Sequence, residues 1–84
     1  MTQQLKNRIQ AEAYTAVLEA LNATPPETAD EKYPAVFQHA KEAAQLGAVQ
    51  ALLAYTSNNQ SRASVIGGVN RATTRTIMKR SNLL

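Results

Sequence analysis

A chain of 84 residues with no cysteine and a formal net charge of +3 has room for one domain with a limited core, so it needs unusually close helix packing or a partner chain. It can form no disulfide framework, and no stretch is long and apolar enough to span a bilayer. The charge is uneven: residues 1 to 42 hold four basic against six acidic side chains, whereas residues 43 to 84 hold Arg62, Arg71, Arg75, Lys79 and Arg80 and no acid, a polarity that attracts a polyanion to one end of the molecule.

Leu5, Ile9, Ala13, Ala16, Val17, Ala20 and Leu21 recur at helical spacing and predict a first helix from about Thr2 to Asn22, with Lys6, Arg8, Glu12 and Glu19 off the apolar stripe. Thr24-Pro25-Pro26 ends it, because two prolines remove two backbone donors and clash with a continuing helix. Glu27 to Lys32 reads as a polar linker. A second helix is expected from near Tyr33-Pro34, where the fixed φ of proline suits a first turn, to about Tyr55. Between Ala35 and Tyr55 the only charges are Lys41 and Glu42, so more than one face of this helix needs cover. Gly47 within it either permits close helix crossing or bending or is simply tolerated, at about 1 kcal/mol relative to alanine.

The Ser/Asn/Gln-rich run from Ser57 to Gln60 reads as a turn. A short helix follows between Ser61 and Ile66, with Ala63, Val65 and Ile66 available to pack, and Gly67-Gly68 supplies a chain reversal that a β-carbon resists. Asn70 suits the N-cap of a last helix, its side-chain oxygen accepting from the N–H of Ala72 or Thr73. That helix is expected from about Arg71 to Ser81. On it Thr74, Ile77 and Met78 face the body of the domain, while Arg71, Arg75 and Lys79 repeat every four residues in an outward row. With Thr73 and Thr76 beside it, the row offers donors for guanine O6/N7 and phosphate and methyls for thymine, the chemistry a helix in a major groove needs. Ser61 and Arg62, at the start of the preceding helix, are expected to meet the DNA backbone.

Leu53-Ala54-Tyr55-Thr56-Ser57-Asn58-Asn59-Gln60-Ser61-Arg62-Ala63 and then Gly68-Val69-Asn70-Arg71-Ala72-Thr73 resemble the C-terminal part of the Fis family of bacterial nucleoid and regulatory proteins, and equally the output helix-turn-helix of NtrC-type activators. The resemblance is strong over residues 52 to 81 and weak in detail elsewhere. It implies an all-α, four-helix Fis-like domain over residues 1–84: two core helices within 1–55 that dimerise, and a helix-turn-helix within 56–84 that binds DNA. In that family the first two helices interlock with those of the mate as an intertwined homodimer, and the long second helix crosses its partner at the two-fold axis. Carried over position by position, the DNA contacts fall on Asn59, Ser61, Arg62, Asn70, Arg71, Thr73, Arg75, Thr76, Lys79 and Arg80, with Arg71 and Arg75 reading base edges. The pattern departs at Thr76 and Ile77, which replace lysines, and at Thr74, which replaces an apolar core residue and is expected to loosen the packing beneath the helix. Gly47 stands where the Fis protein has a helix-kinking proline. The family's mobile β-hairpin arm ahead of the first helix has no counterpart here, so a role as recombination enhancer is not expected.

The function this implies is sequence-selective binding, and bending, of double-stranded DNA by a homodimer acting as a transcriptional regulator or small nucleoid-associated protein, bacterial or phage-encoded and cytoplasmic. The second reading is a helical dimeric protein-interaction module, an accessory or inhibitory subunit, whose helix-turn-helix has drifted. An enzyme is not expected, because His39 is alone and the carboxylates are scattered over helix surfaces and a linker. Nor does the sequence offer a metal-ligand cluster, a cofactor motif or a small-molecule site. A membrane-surface role is disfavoured: the last helix has no Trp or Phe and offers only Ile77, Met78, Leu83 and Leu84 for insertion, and the amino terminus lacks the order of a signal peptide.

Overall fold

The computed structural model describes residues 2–82; Met1 and the Leu83 and Leu84 considered above for lipid insertion lie outside the described residues. Every regular element among the described residues is helical: α1 Thr2–Asn22, a 3-10 turn Pro26–Thr28, α2 Ala29–Lys32, α3 Val36–Tyr55, α4 Gln60–Gly67 and α5 Arg71–Arg80. None of these helices is long and apolar enough to cross a membrane. The chain divides into two compact units, Met1–Ala40 and Lys41–Leu84.

In the first unit, α1 has the bounds its apolar spacing predicts. Thr24 closes it: the residue is buried, its N–H bonds the carbonyl of Leu21 at 3.0 Å and its Oγ1 donates to the carbonyl of Ala20 at 3.0 Å. Two last-turn carbonyls are thus satisfied just before the proline pair, which cannot help. On the surface of α1, Arg8 and Glu12 form an i,i+4 ion pair at 3.1 Å, of the exposed kind that adds little to stability. Among the described residues none in α1 is buried; Val17, Ala20 and Leu21 are half-buried, while Leu5 remains 59% and Tyr14 69% exposed.

The stretch read as a polar linker is folded. Pro26 opens a 3-10 turn at a position where the missing N–H is not needed, and α2 follows directly. Its end explains why the next helix starts at Val36 and not at Tyr33-Pro34. Tyr33 caps α2, donating its N–H to the carbonyl of Ala29 at 2.9 Å, with φ −124° and ψ 62°. Ala35 then takes a left-handed φ of 55°. Its carbonyl accepts from the N–H groups of Gln38 and His39 at 3.0 and 3.2 Å, so α3 is launched from Ala35 after a change of direction that a helix through Pro34 does not allow.

The core of the second unit is Val49 and Leu53 of α3, Ala63 of α4 and Met78 of α5, with Leu52 and Ile77 packed against it. On α3, Val49 and Leu53 are buried, whereas Tyr55 at its end is 82% exposed and Phe37 near its start 91%. A β-carbon built at Gly47 meets nothing within 4 Å, so no contact among the described residues requires glycine there. The C-terminus of α3 turns through Ser57 and Asn58, both at positive φ, and Asn58 N–H bonds the carbonyl of Leu53 at 2.8 Å, the six-to-one bond of a Schellman end.

The packing face of α4 differs from the one expected. Ala63 is buried as foreseen, but Val65 and Ile66 are exposed and Ser64 is buried instead. Gln60, Ala63, Ser64 and Gly67 share one face at spacings of three and four. After Gln60 the face is built from small residues, and α3 comes close at the last of them: a β-carbon at Gly67 would lie 3.2 Å from Leu52 Cδ1. Gly68, at φ 73°, reverses the chain, with its own N–H on the carbonyl of Val65 at 3.2 Å and that of Val69 on Ser64 at 3.1 Å. Here the left-handed conformation favours a residue without a side chain.

Candidate nucleic-acid interface

Two helices, α4 and α5, together with the asparagine that caps each, carry every residue that the sequence marks for DNA contact. Each starts on an asparagine. Asn59 Oδ1 accepts from the N–H of Arg62 at 3.0 Å, and Asn70 Oδ1 from that of Thr73 at 2.8 Å and from Thr73 Oγ1 at 3.1 Å. The cap foreseen at Asn70 is therefore present, and Asn59 caps α4 in the same way. Both carbonyl oxygens are engaged in fixing where their helices begin, which leaves the amide Nδ2 groups to meet a ligand.

The buried side of α5 is Thr74 and Met78, with Ile77 half-buried. Thr74 was expected to loosen this contact. Instead its Oγ1 lies 2.7 Å from Ser64 Oγ, and Ser64 Oγ lies 2.8 Å from the carbonyl of Gln60. A hydrogen-bonded hydroxyl pair thus spans the two helices where two apolar side chains would otherwise meet, and no buried side-chain polar atom among the described residues lacks a partner. Such a pair is nearly neutral against an apolar pair, but breaking it strands one hydroxyl. Ser64→Ala is expected to destabilise the fold by about 1 kcal/mol, with most of the loss recovered in the Ser64→Ala, Thr74→Val double variant. Urea denaturation followed by circular dichroism measures both.

The opposite side of α5 is open. Arg71, Thr73, Arg75, Thr76, Lys79 and Arg80 are all exposed. Arg71, Arg75 and Lys79 stand one turn apart along a line of about 12 Å at the helical rise. No Asp or Glu occurs from residue 43 onward, so the row has no acidic side chain on its own helix or on α4 to neutralise it. Thr76 Oγ1 donates to the carbonyl of Ala72 at 2.9 Å. The hydroxyl protons of Thr73 and Thr76 are thus turned inward, and what these residues offer outward is a methyl and an acceptor. Ser61 and Arg62 are exposed in the first turn of α4.

One contact links the exposed faces of the two helices. Arg75 Nη1 donates to Gln60 Oε1 at 3.3 Å, across fifteen residues of sequence. Sequence reasoning missed Gln60, and also Ser64, because neither lies on a charged or apolar repeat. A weak signal existed in the spacing of Gln60, Ala63 and Ser64, which puts both residues on the packed side of α4.

A groove of about 180 Å³ lies within this unit, lined mainly by Val49, Leu52, Ala63, Gly67, Val69 and Ile77 with Thr73 and Thr74 at its edge. It is apolar and lies beneath the base of α5, away from the basic row. His39 is exposed on α3, and among the described residues no three His, Asp or Glu side chains gather as a metal ion requires. Comparison of the chain with family models, with curated proteins and with solved structures found no match.

Proposed function

We propose that this chain is a sequence-selective binder of double-stranded DNA: a helix-turn-helix protein, similar in plan to the Fis family, in which α4 and α5 are the DNA-facing pair and α5 enters the major groove. The observation that carries the reading is the unneutralised row of Arg71, Arg75 and Lys79 on the open face of a helix whose other face is locked by Thr74 and Met78. Groove reading needs both properties, since cations must reach base edges and phosphates while their backbone stays fixed. Arg71 and Arg75 read bases; Ser61, Arg62, Lys79 and Arg80 hold phosphates; the amides of Asn59 and Asn70 and the methyls of Thr73 and Thr76 complete the surface. The N-terminal dipole of α5 adds to its attraction for phosphate.

The working form in this reading is a homodimer, with α1 and α3 of each copy interlocking with those of its mate. The apolar side chains Leu5, Ile9, Tyr14, Leu18 and Phe37, exposed in the single chain, support it, because solvent-exposed apolar residues in such number signal a surface meant to be covered. Two recognition helices related by a two-fold axis read a pseudo-palindrome, and their separation selects DNA that bends to fit. Transcriptional regulation or nucleoid organisation follows, in the nucleoid of a bacterial cytoplasm.

The test is selection of bound duplexes from a random pool, together with sedimentation of the free protein. Pseudo-palindromic sites and a dimer are expected. A monomer that enriches no sequence refutes the proposal and favours the protein-interaction module.

A further inference from the structure

Arg75 is the member of the basic row whose side chain is tied to the other helix. The tie belongs to a closed ring: Gln60 Oε1 accepts from Arg75 Nη1 at 3.3 Å, the Gln60 carbonyl accepts from Ser64 Oγ at 2.8 Å, and Ser64 Oγ meets Oγ1 of Thr74, the neighbour of Arg75, at 2.7 Å. Ser64 and Thr74 are buried, and Gln60 is half-buried. Both ends of the tie are therefore anchored in the packed contact between α4 and α5, although the tie itself lies at the surface. Neither Arg71 nor Lys79 has such a tether among the described residues.

We propose that Gln60 is a positioning residue for Arg75, and that it makes Arg75 the principal base-reading cation of the row. This rests on the DNA-binding reading above and goes further, to the source of specificity. An arginine on an open helix face samples many rotamers and loses that freedom on binding. Gln60 removes part of the loss beforehand. It does so without charge: an acid in its place would hold the guanidinium as well, but would cancel the attraction for DNA. The tie also selects an edge. Guanine O6 and N7 are read by two parallel N–H groups, and with Nη1 held by Gln60 the edge formed by Nε and Nη2 stays whole for that contact.

The experiment uses a duplex selected by the full-length protein and a variant of it altered at the guanine whose recognition depends on Arg75. Binding of both is measured for the wild type, Gln60→Ala, Gln60→Glu, Arg75→Ala and the Gln60→Ala, Arg75→Ala double variant. Gln60→Ala keeps the carbonyl that accepts from Ser64, so the ring's buried part survives. It is expected to lower discrimination between the two duplexes by about two- to tenfold, with the salt slope of random-sequence binding unchanged because no phosphate contact is lost. In the Arg75→Ala background it should have no further effect. Gln60→Glu retains the acceptor and so the discrimination, while weakening both duplexes alike. Unchanged discrimination in Gln60→Ala, or an equal loss when Arg75 is already absent, overturns the positioning role alone. Failure of the wild type to bind any duplex at low salt overturns the DNA-binding reading and this inference with it.

Discussion

Replacing Arg71 and Arg75 together by alanine is expected to weaken binding to a selected duplex by about 2 to 6 kcal/mol, taking about 1 to 3 for each base-reading arginine. The fold should be indifferent to the change. Both side chains are exposed, alanine is the better helix former, and the features that fix α5, the Asn70 cap and the buried Thr74 and Met78, are untouched. Loss of binding with full helicity would therefore report on recognition itself. Lys79→Ala makes the informative contrast. As a phosphate contact it should weaken all sequences about equally and reduce the magnitude of the salt slope by about 0.9, whereas the arginine pair should lose selectivity as well.

The second large effect is structural. Leu53→Asp is expected to abolish the cooperative fold, read as loss of helical ellipticity and of any thermal transition. Leu53 is 8% exposed and sits among Val49, Ala63 and Met78. Deleting its apolar bulk alone costs about 2 to 5 kcal/mol, and the introduced carboxylate has no cation in that cluster to offset its burial, adding several more. A chain of this size has a total stability of about 5 to 15 kcal/mol at most. Because α3 contributes the core on which α4 and α5 rest, the same substitution should also remove DNA binding, and Leu53→Ala should show a graded version of both losses.

What could be read in the chain without its structure follows from the range of each signal. The bounds of α1 are written locally, in an apolar stripe and two prolines, and Asn70 advertises its cap within three residues. The row of Arg71, Arg75 and Lys79 is likewise a local repeat, so the outward face of α5 was legible. The folded segment between Pro26 and Lys32 was not, since one turn of helix carries no periodicity to detect. The packing face of α4 was misread toward Val65 and Ile66 because hydropathy ranks them above serine and glycine. Close approach of α3 at Gly67 selects small residues instead, and Ser64 finds its partner in Thr74 only once the two helices meet. The Gln60 to Arg75 contact depends on the same crossing; the spacing of Gln60, Ala63 and Ser64 puts Gln60 on the packed side of α4 but does not name its partner fifteen residues away.

Fluorescence anisotropy of a short random-sequence duplex, titrated with the protein at several salt concentrations, decides whether the basic row of α5 binds DNA. Binding is expected at low salt, falling steeply as salt rises, with each phosphate contact adding about 0.9 to the logarithmic slope, and much reduced in the Arg71→Ala, Arg75→Ala variant. Absence of binding at low salt, or binding indifferent to both salt and the two arginines, would contradict the DNA-binding reading.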